Sequence, residues 1–400
     1  MPAKETLREF KARIASMRID ELLERFPQSK PTLYNHFGAS CFDCPAAAEE
    51  NVACAIRVHD SLEEEFYADL AEALEIELDK VPSLMNEDFE SKPWKNLERS
   101  QPCVVALGLF DGVHLGHRAI LNRTLEAAER LKMDSVVFSF RNHPRTVIAG
   151  NGSPAPRLLV TVERRYRLMQ EAGVGAILSP EFTKEWAQTP AEVFARVFLA
   201  ETLKAHLVIV GFNYCFGRKA EGRTQHLLEF GDRFGFEVEI VPPFQVGGEE
   251  VSSTRVRNAI LAGNLDEARR LLGRPHELTG TVVAGEGRGK SLGFPTANIA
   301  PDLPPLLPQG VYAVQVHRGA VDNESPLGNG MFFLGPRKTF GESEDRATVE
   351  VHVFDFEGDL YGERLRLELV AKVRDGMKFE SADELSRQLD RDRSSCKELL

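Results

Sequence analysis

Two histidines, His114 and His117, lie within a glycine-rich stretch that runs from residue 108 to residue 117. The stretch reads Gly-Leu-Phe-Asp-Gly-Val-His-Leu-Gly-His, and an apolar run at 103–107 precedes it. A helical pattern follows, so we predict a buried strand, a tight turn and a helix that begins at the turn. Backbone N–H groups at such a helix start favour a phosphate. The plain alternative is a tight turn with two incidental histidines.

A second candidate anion site lies at 251–257, which reads Val-Ser-Ser-Thr-Arg-Val-Arg. Two hydroxyl residues and an arginine precede a predicted helix, and such groups at a helix start bind phosphate oxygens well. The plain alternative is a simple N-cap, which would not need Arg255 and Arg257 as well.

Strand-like and helical segments alternate across residues 101–270. Strands are expected at 135–140, 175–178, 206–210 and 237–241, with helices near 162–172, 190–203 and 224–233. This alternation predicts a parallel sheet covered on both faces, whose ligands lie beyond the carboxyl ends of the strands. The turn at 108–117 and the segments 141–144 and 211–214 fall at such ends.

The hydrophobic period changes to two across residues 271–400, which predicts a small all-β barrel closed by a helix at about 382–397. A flexible basic loop at 285–290 precedes a Leu-Gly-Phe-Pro-Thr-Ala-Asn segment. Glycines in that loop allow close approach of the backbone to a phosphate. Thr296 and Asn298 offer oxygen ligands of the kind that Mg²⁺ prefers.

These motifs together resemble those of bacterial bifunctional riboflavin kinase/FAD synthetases. The resemblance rests on Gly-x-Phe-Asp-Gly-x-His-x-Gly-His, Ser-Ser-Thr-Arg-x-Arg and Gly-Phe-Pro-Thr-Ala-Asn, and it covers nearly all of residues 101–400. It implies an α/β plus all-β architecture: a Rossmann-like nucleotidyltransferase domain at 101–270, then a riboflavin kinase β-barrel with a C-terminal helix at 271–400. The implied chemistry is phosphorylation of riboflavin to FMN, followed by adenylyl transfer from ATP to FMN, with Mg²⁺ in both steps.

The resemblance also implies roles for individual residues. His114 and His117 would stabilise phosphoryl oxygens, and Glu350 would accept the proton of the ribityl 5′-hydroxyl, although Glu350 could instead be an outward-facing strand carboxylate. Nucleotide binding is expected of Gly108, Phe110, Asp111, Gly112, Gly116, Ser252, Ser253, Thr254, Arg255, Gly287, Arg288, Gly289 and Lys290. Flavin binding is expected of Asn142, His143, Pro144 and Asn213, and Mg²⁺ binding of Thr296 and Asn298.

Four positions depart from the family's usual pattern, and one of them is Phe333, where the family often has asparagine. Asn213 stands where the family usually has aspartate, which weakens any claim that this position binds Mg²⁺. Cys215 replaces a usual arginine and so removes a cation, and Lys338 stands where the family often has proline.

A small all-α domain is expected at residues 1–80, followed by a linker at 81–100. The domain carries three clustered cysteines, Cys41, Cys44 and Cys54. They could be buried core thiols, a redox pair or, with His59, zinc ligands, and all three interpretations stay open. Residues 17–80 resemble a helical redox disulfide domain found with or near hybrid-cluster proteins.

Composition narrows the class of protein. The 400 residues include 49 Lys and Arg against 61 Asp and Glu, a net charge of -12 that argues against a nucleic-acid-binding protein. No apolar run approaches the ~20 residues that span a bilayer. We therefore expect a cytoplasmic enzyme acting on riboflavin, FMN and ATP, without a nucleic-acid or membrane partner, as a monomer or weak homo-oligomer. The alternatives are an enzyme that keeps one of the two activities, and a flavin-binding redox or scaffold protein that works through its cysteine segment.

Overall fold

The computed structural model of this chain describes residues 5–6, 10, 13–15, 17–37, 51–52, 55–56, 63–74, 78–79, 97–148, 155–285, 293–320, 323–336 and 347–400. Several residues singled out above lie outside the described residues: Cys41, Cys44, Cys54, His59, Gly287, Arg288, Gly289, Lys290 and Lys338. Their roles stay predictions. The chain forms two compact units, Met1–Leu84 and Met85–Leu400, and the predicted domains at 101–270 and 271–400 lie together in the second.

The described part of the first unit is mainly helical. Its elements are β1 (Glu5–Thr6), α1 (Ile19–Arg25), a 3-10 turn (Pro27–Ser29), α2 (Lys30–Phe37), α3 (Glu63–Ala73) and β2 (Leu78–Asp79). Apolar side chains of the helices form a core in which the rings of Phe37 and Phe66 stack with centroids 5.0 Å apart. The described helices agree with the expected helical character of this part, and the short parallel pair of β1 and β2 is an addition that the sequence pattern did not indicate.

A five-stranded parallel sheet forms the centre of the second unit's first half. The strands here are β3 (Cys103–Leu107), β4 (Asp134–Phe138), β5 (Ala176–Leu178), β6 (Ala205–Gly211), β7 (Cys215–Phe216), β8 (Gly222–Arg223), β9 (Glu237–Val241), β10 (Gln245–Val246) and β11 (Glu249–Glu250). The sheet order is β5-β4-β3-β6-β9, with every neighbouring pair parallel. The predicted Rossmann-like sheet is therefore confirmed. The chain reverses direction across the sheet between β3 and β6, which is where such folds bind ligands.

Helices and helical turns connect and follow the strands of this half. They are α4 (Leu115–Leu131), α5 (Pro144–Ile148), α6 (Val162–Glu171), α7 (Lys184–Gln188), α8 (Ala191–Val193), a π-helix (Phe194–Thr202), a 3-10 turn (Arg218–Ala220), α9 (Thr224–Phe234), α10 (Ser253–Leu261) and α11 (Leu265–Leu272). The predicted helix at 190–203 is thus mostly a π-helix. Its Phe198 packs on Phe138 and Trp186, with ring centroids 4.6 and 5.2 Å away, in the core beneath the sheet.

The second half is a closed antiparallel barrel, as predicted. Its elements are β12 (His276–Val283), β13 (Ala297–Pro301), β14 (Gly310–Arg318), β15 (Ser325–Pro336), β16 (Ala347–Val353), β17 (Arg364–Asp375) and the closing helix α12 (Ala382–Leu399). The strand order around the barrel is β12-β13-β16-β15-β14-β17. Helices α10 and α11 share a continuous apolar core with the barrel, so the two halves pack directly on each other. Among the described residues, no helix is long and apolar enough to cross a membrane.

Helix α12 is tied to the barrel by a buried ion pair. Asp392 is 1% exposed and accepts hydrogen bonds from the Nε and Nη2 atoms of Arg374, the shortest at 2.6 Å. Gln388 donates to the same carboxylate at 2.8 Å. Removal of one partner of such a pair leaves the other charge buried without compensation.

We expect Asp392→Ala to lower the free energy of unfolding by about 3 kcal/mol, because Arg374 would lose its buried counter-charge. Urea denaturation of the full chain, followed by circular dichroism, measures the loss. Asp390→Ala is the matched control, since the Asp390–Arg393 pair is largely exposed on the same helix. Equal losses in the two variants would show that the buried pair does not hold the helix.

Candidate active sites

The turn after β3 brings the two histidines together at the start of α4. His114 caps the helix, because its Nδ1 accepts a hydrogen bond from the backbone N–H of His117 at 3.3 Å. The two imidazole rings stack with centroids 3.6 Å apart. The buried ring of Phe110 lies against His117, with centroids 5.3 Å apart. The predicted strand, turn and helix are all present here.

The turn itself has an unusual backbone. Gly112 has a φ of +78°, and a Cβ there would lie 2.7 Å from the Leu159 side chain. Phe110 and Val113 have φ values of 56° and 41°, a region that residues with a Cβ rarely adopt. Strained backbone of this kind gathers at functional sites, where the surrounding structure holds it in place.

Burial keeps both histidines uncharged at neutral pH. Burial, reinforced by the charge of Arg274, lowers the pKa of His114 to about 4. Burial and the neighbouring His114 hold the pKa of His117 well below its ordinary value. Each ring therefore carries one N–H donor. Among the described residues, the buried Nδ1 of His117 has no hydrogen-bond partner, which leaves it available for a ligand.

A cleft of about 270 Å³ opens beside His117. It is lined by residues from the turn, from the segment after β4 and from the start of α10: Leu109, Asp111, His117, His143, Arg145, Pro156, Ser253, Thr254 and Arg257. The structure thus brings together three stretches that the sequence analysis proposed separately. Gly108 and Gly116 flank the cleft's histidine turn, beside the Phe110 ring and the Val251 carbonyl respectively.

Asp111 joins the turn to the start of α10. Its Oδ1 accepts from the backbone N–H of Leu159 at 2.9 Å, and its Oδ2 accepts from Arg257 Nη2 at 3.0 Å. Its backbone carbonyl accepts from the Ser253 hydroxyl at 3.0 Å. The Ser252 hydroxyl caps α10 by accepting from the N–H of Arg255. Both oxygens of the Asp111 carboxylate therefore bind groups of the protein itself. Asp111 would act on a bound nucleotide indirectly, because it holds the walls of the cleft in place.

The two arginines of the second motif have different surroundings. The Arg255 guanidinium donates to the carbonyls of Val246 and Glu249 at 3.1 and 2.8 Å and pairs with Glu267. Arg257 donates to the Arg157 carbonyl at 2.8 Å and pairs with Asp111 at 3.0 Å, and it also lines the cleft. Residues two apart on a helix point to nearly opposite sides, so the spacing predicts that only one of the two arginines faces a ligand. The phosphate-binding role predicted for Arg255 stays a prediction, and Arg257 is a further candidate.

The residues predicted to bind flavin also differ from one another in their surroundings. The Asn142 amide donates to the Phe182 carbonyl at 3.1 Å and accepts from the Phe182 N–H at 2.7 Å, so it fastens two loops together. His143 lines the cleft, and burial lowers its pKa to about 4. Pro144 begins α5. Asn213 is exposed after β6, and it is absent from the described cleft lining.

Sequence reasoning missed Arg165, which lies behind the turn. Its side chain is 1% exposed, and it donates to the carbonyls of Leu109 and Phe140 at 3.0 and 2.6 Å. Backbone carbonyls occur in every sequence, so no residue pattern could have identified these partners.

A second polar site lies in the barrel at Glu350. The Thr296 hydroxyl donates to Glu350 Oε2 at 3.2 Å, and Asn298 is the strand neighbour of Glu350. A Cβ on Gly285 would lie 1.8 Å from the Asn298 amide, so only glycine fits there. The three predicted residues are thus gathered where the basic loop of the sequence begins.

The side chains at this second site offer oxygen ligands, which hard cations prefer. Carboxylate, hydroxyl and amide oxygens are what Mg²⁺ accepts, together with phosphate and water. Within the described residues, no group of three or more His, Cys, Asp or Glu side chains is arranged to hold a metal ion. A cation here would therefore depend on the Thr296 and Asn298 oxygens and on its phosphate ligand.

Both halves of the second unit match known families. The FAD synthetase family model matches residues 96–255, and the riboflavin kinase family model matches residues 272–400. A bifunctional riboflavin kinase/FMN adenylyltransferase of Listeria monocytogenes is 35% identical, covering 72% of this chain and 90% of that protein. The chain belongs to this family. Relatives with the same description in Haemophilus influenzae and Escherichia coli K12 are 33% and 35% identical over 74% of this chain, and over 94% and 92% of their own.

A solved structure shares the fold of most of this chain. The crystal structure of a macrolide-efflux protein from Streptococcus pneumoniae matches with a TM-score of 0.68 and 32% identity, covering 76% of this chain and 97% of that chain. One departure from the family pattern has an arginine beside it. The Cys215 thiol contacts the Arg223 guanidinium, so a cation lies beside the position where the family usually has arginine.

The lowered pKa values give a pH dependence that can be measured. The folded pKa of His114, about 4, lies below the ordinary value of 6.5. Its neutral form therefore stabilises the fold fully above pH 6.5, and this contribution is lost as the pH falls towards 4. We expect the ring resonances of His114 in NMR spectra to shift only near pH 4. A midpoint near 6.5 would contradict the burial that the structure gives this ring.

Proposed function

We propose that this chain makes FAD from riboflavin in two ATP-dependent steps, one in the barrel and one in the parallel-sheet domain. The observation that carries the proposal is the presence of two separate polar sites, at His117 and at Glu350, in the two segments that the two family models match. Because both steps consume ATP, we place them in the cytoplasm, with riboflavin, FMN and ATP as the substrates and with the chain acting as a monomer or weak homo-oligomer.

Adenylyl transfer would take place in the cleft beside His117. A phosphate oxygen of FMN attacks the α-phosphorus of ATP, a new P–O bond forms, and the bond to the departing pyrophosphate breaks. No side-chain nucleophile is needed, so positioning and electrostatic stabilisation supply the catalysis. The neutral imidazoles of His114 and His117 donate to the phosphoryl oxygens. Arg145 and Arg257 supply positive charge at the cleft wall.

Phosphorylation of riboflavin would take place at Glu350. Its carboxylate accepts the proton of the ribityl 5′-hydroxyl as that oxygen attacks the γ-phosphorus of ATP, and ADP departs. The hydrogen bond from Thr296 orients this carboxylate. Mg²⁺, when bound by the oxygens of Thr296 and Asn298, would neutralise charge on the phosphates. The loop at Gly287–Lys290 is proposed to cover the same phosphates.

The two steps can be separated in one assay. Purified chain is incubated with ATP and Mg²⁺ plus either riboflavin or FMN, and the flavins are resolved by chromatography. We expect Glu350→Gln to lower FMN formation about a hundredfold or more, because the base is lost, and to leave conversion of FMN to FAD intact. We expect His117→Ala to have the reverse effect.

Several results would contradict the proposal. Absence of both products from the wild-type chain would contradict both activities, and formation of FMN without FAD would favour the alternative of one retained activity. An unchanged rate of FMN formation in Glu350→Gln would remove that residue from proton transfer.

A matched pair of arginine variants tests the assignment within the second motif. We expect Arg257→Ala to lower kcat/KM for FAD formation about tenfold or more, because the cleft loses a positive charge. Arg255→Ala should change this value little, since Arg255 is bound to carbonyls and to Glu267 and is absent from the described lining of the cleft. Steady-state kinetics with FMN and ATP provide the measurement. A larger loss in Arg255→Ala would return the phosphate contact to that residue.

A further inference from the structure

Helix α6 carries two adjacent arginines that hold different parts of the molecule. Arg164 pairs with Glu277 of the barrel strand β12, with Nε–Oε1 and Nη2–Oε2 distances of 2.7 and 3.1 Å. Both side chains are less than 10% exposed. This two-point contact joins the sheet domain to the barrel at a buried position.

Arg165 holds the backbone of the cleft. Its Nη1 donates to the carbonyl of Leu109, in the turn that precedes the histidine pair. Its Nη2 donates to the carbonyl of Phe140 and, at 3.3 Å, to that of Arg141, just before the segment that carries His143. One guanidinium thus fixes the distance between two loops that line the cleft.

Within the barrel, Glu277 also has an arginine beside its carboxylate. Arg366 of β17 lies 3.5 Å from the Glu277 carboxylate and is itself bound to Glu324 at 2.7 Å. Burial alone would raise the pKa of Glu277. The guanidinium groups of Arg164, Arg274 and Arg366 outweigh this effect and hold that pKa below its ordinary value. The carboxylate is therefore charged at neutral pH, and it gives helix α6 a fixed point of attachment.

We propose that Arg165 is a positioning residue for adenylyl transfer, and that the barrel keeps it in place through the Glu277–Arg164 ion pair. Consecutive residues on a helix point about 100° apart, so a single turn of α6 can hold the barrel with one arginine and the cleft loops with the next. The first strand of the barrel is then a structural part of the FAD-forming site. This inference rests on the adenylyl transfer proposed above.

The kinase site is far enough from Glu277 to act as an internal reference. Val283, the β12 neighbour of Asn298, follows Glu277 by six residues in the same strand. At the rise of a strand this places the two positions about 20 Å apart. A local change at Glu277 should therefore leave the chemistry at Glu350 nearly unaltered.

The test uses Arg165→Met, Arg165→Lys and Glu277→Gln in the full chain. For each variant, kcat and KM are measured for FMN adenylylation and for riboflavin phosphorylation in the same preparation. We expect Arg165→Met to lower kcat of adenylylation about tenfold or more with little change in KM for ATP, because misplaced loops impair the reaction geometry. Arg165→Lys should recover part of this loss, Glu277→Gln should lower the same kcat to a smaller extent, and the rate of phosphorylation should stay within about twofold.

Asp302→Asn is the matched control. Asp302 pairs with Arg364 at 2.7 Å within the same barrel, and no described contact joins this pair to α6. Its adenylylation kinetics should equal those of the wild type.

The inference is wrong if Arg165→Met and Glu277→Gln adenylylate FMN at the wild-type rate while the wild-type chain forms both FMN and FAD. It is also wrong if each variant loses both activities in parallel, since that pattern indicates a general loss of folding. A wild-type chain that forms FMN without FAD would instead contradict the adenylyl transfer on which the inference rests.

Discussion

The buried carboxylate of Asp111 is the contact on which the parallel-sheet site depends. It receives Arg257 from α10 and the N–H of Leu159, while its own carbonyl receives the Ser253 hydroxyl. A buried charge is tolerated only where its partners are well placed, so this carboxylate dictates how the turn and α10 approach each other. Residues more than a hundred positions apart in sequence come together at the cleft through this one side chain.

Burial then sets the chemical character of that cleft. With lowered pKa values, the two histidine rings are neutral at neutral pH and each keeps one N–H donor, so the positive charge comes from arginines at the wall and behind the turn. Arginine suits this division because it stays charged when buried, whereas imidazole gives up its proton. The barrel site is built differently. There the Glu350 carboxylate on β16 is oriented by the hydroxyl of Thr296, which precedes the neighbouring strand β13.

Hydrophobic periodicity was sufficient to predict the parallel sheet and the barrel, because each period reports directly which face of an element is buried. The motifs also singled out His117, which lines the cleft, and Glu350, which accepts from Thr296, while their catalytic roles stay predictions. What the sequence could not show was the surroundings of similar side chains: the spacing places Arg255 and Arg257 on different sides of α10, but only the structure shows which of them lines the cleft. Asn142 and Arg165 illustrate the same limit, since their partners are backbone groups that carry no signature in the sequence.

The barrel and the parallel sheet differ in one further respect. Closure of the barrel leaves it without a free strand edge, whereas the five-stranded sheet ends in the edge strands β5 and β9. Strand β9 reads Glu-Val-Glu-Ile-Val, and the charges of Glu237 and Glu239 interrupt what would otherwise be an apolar ribbon. Charged residues on an edge discourage pairing with a second chain. Glu239 is paired with Arg123, so the exposed Glu237 is the charge on β9 that disfavours addition of a second strand at this edge.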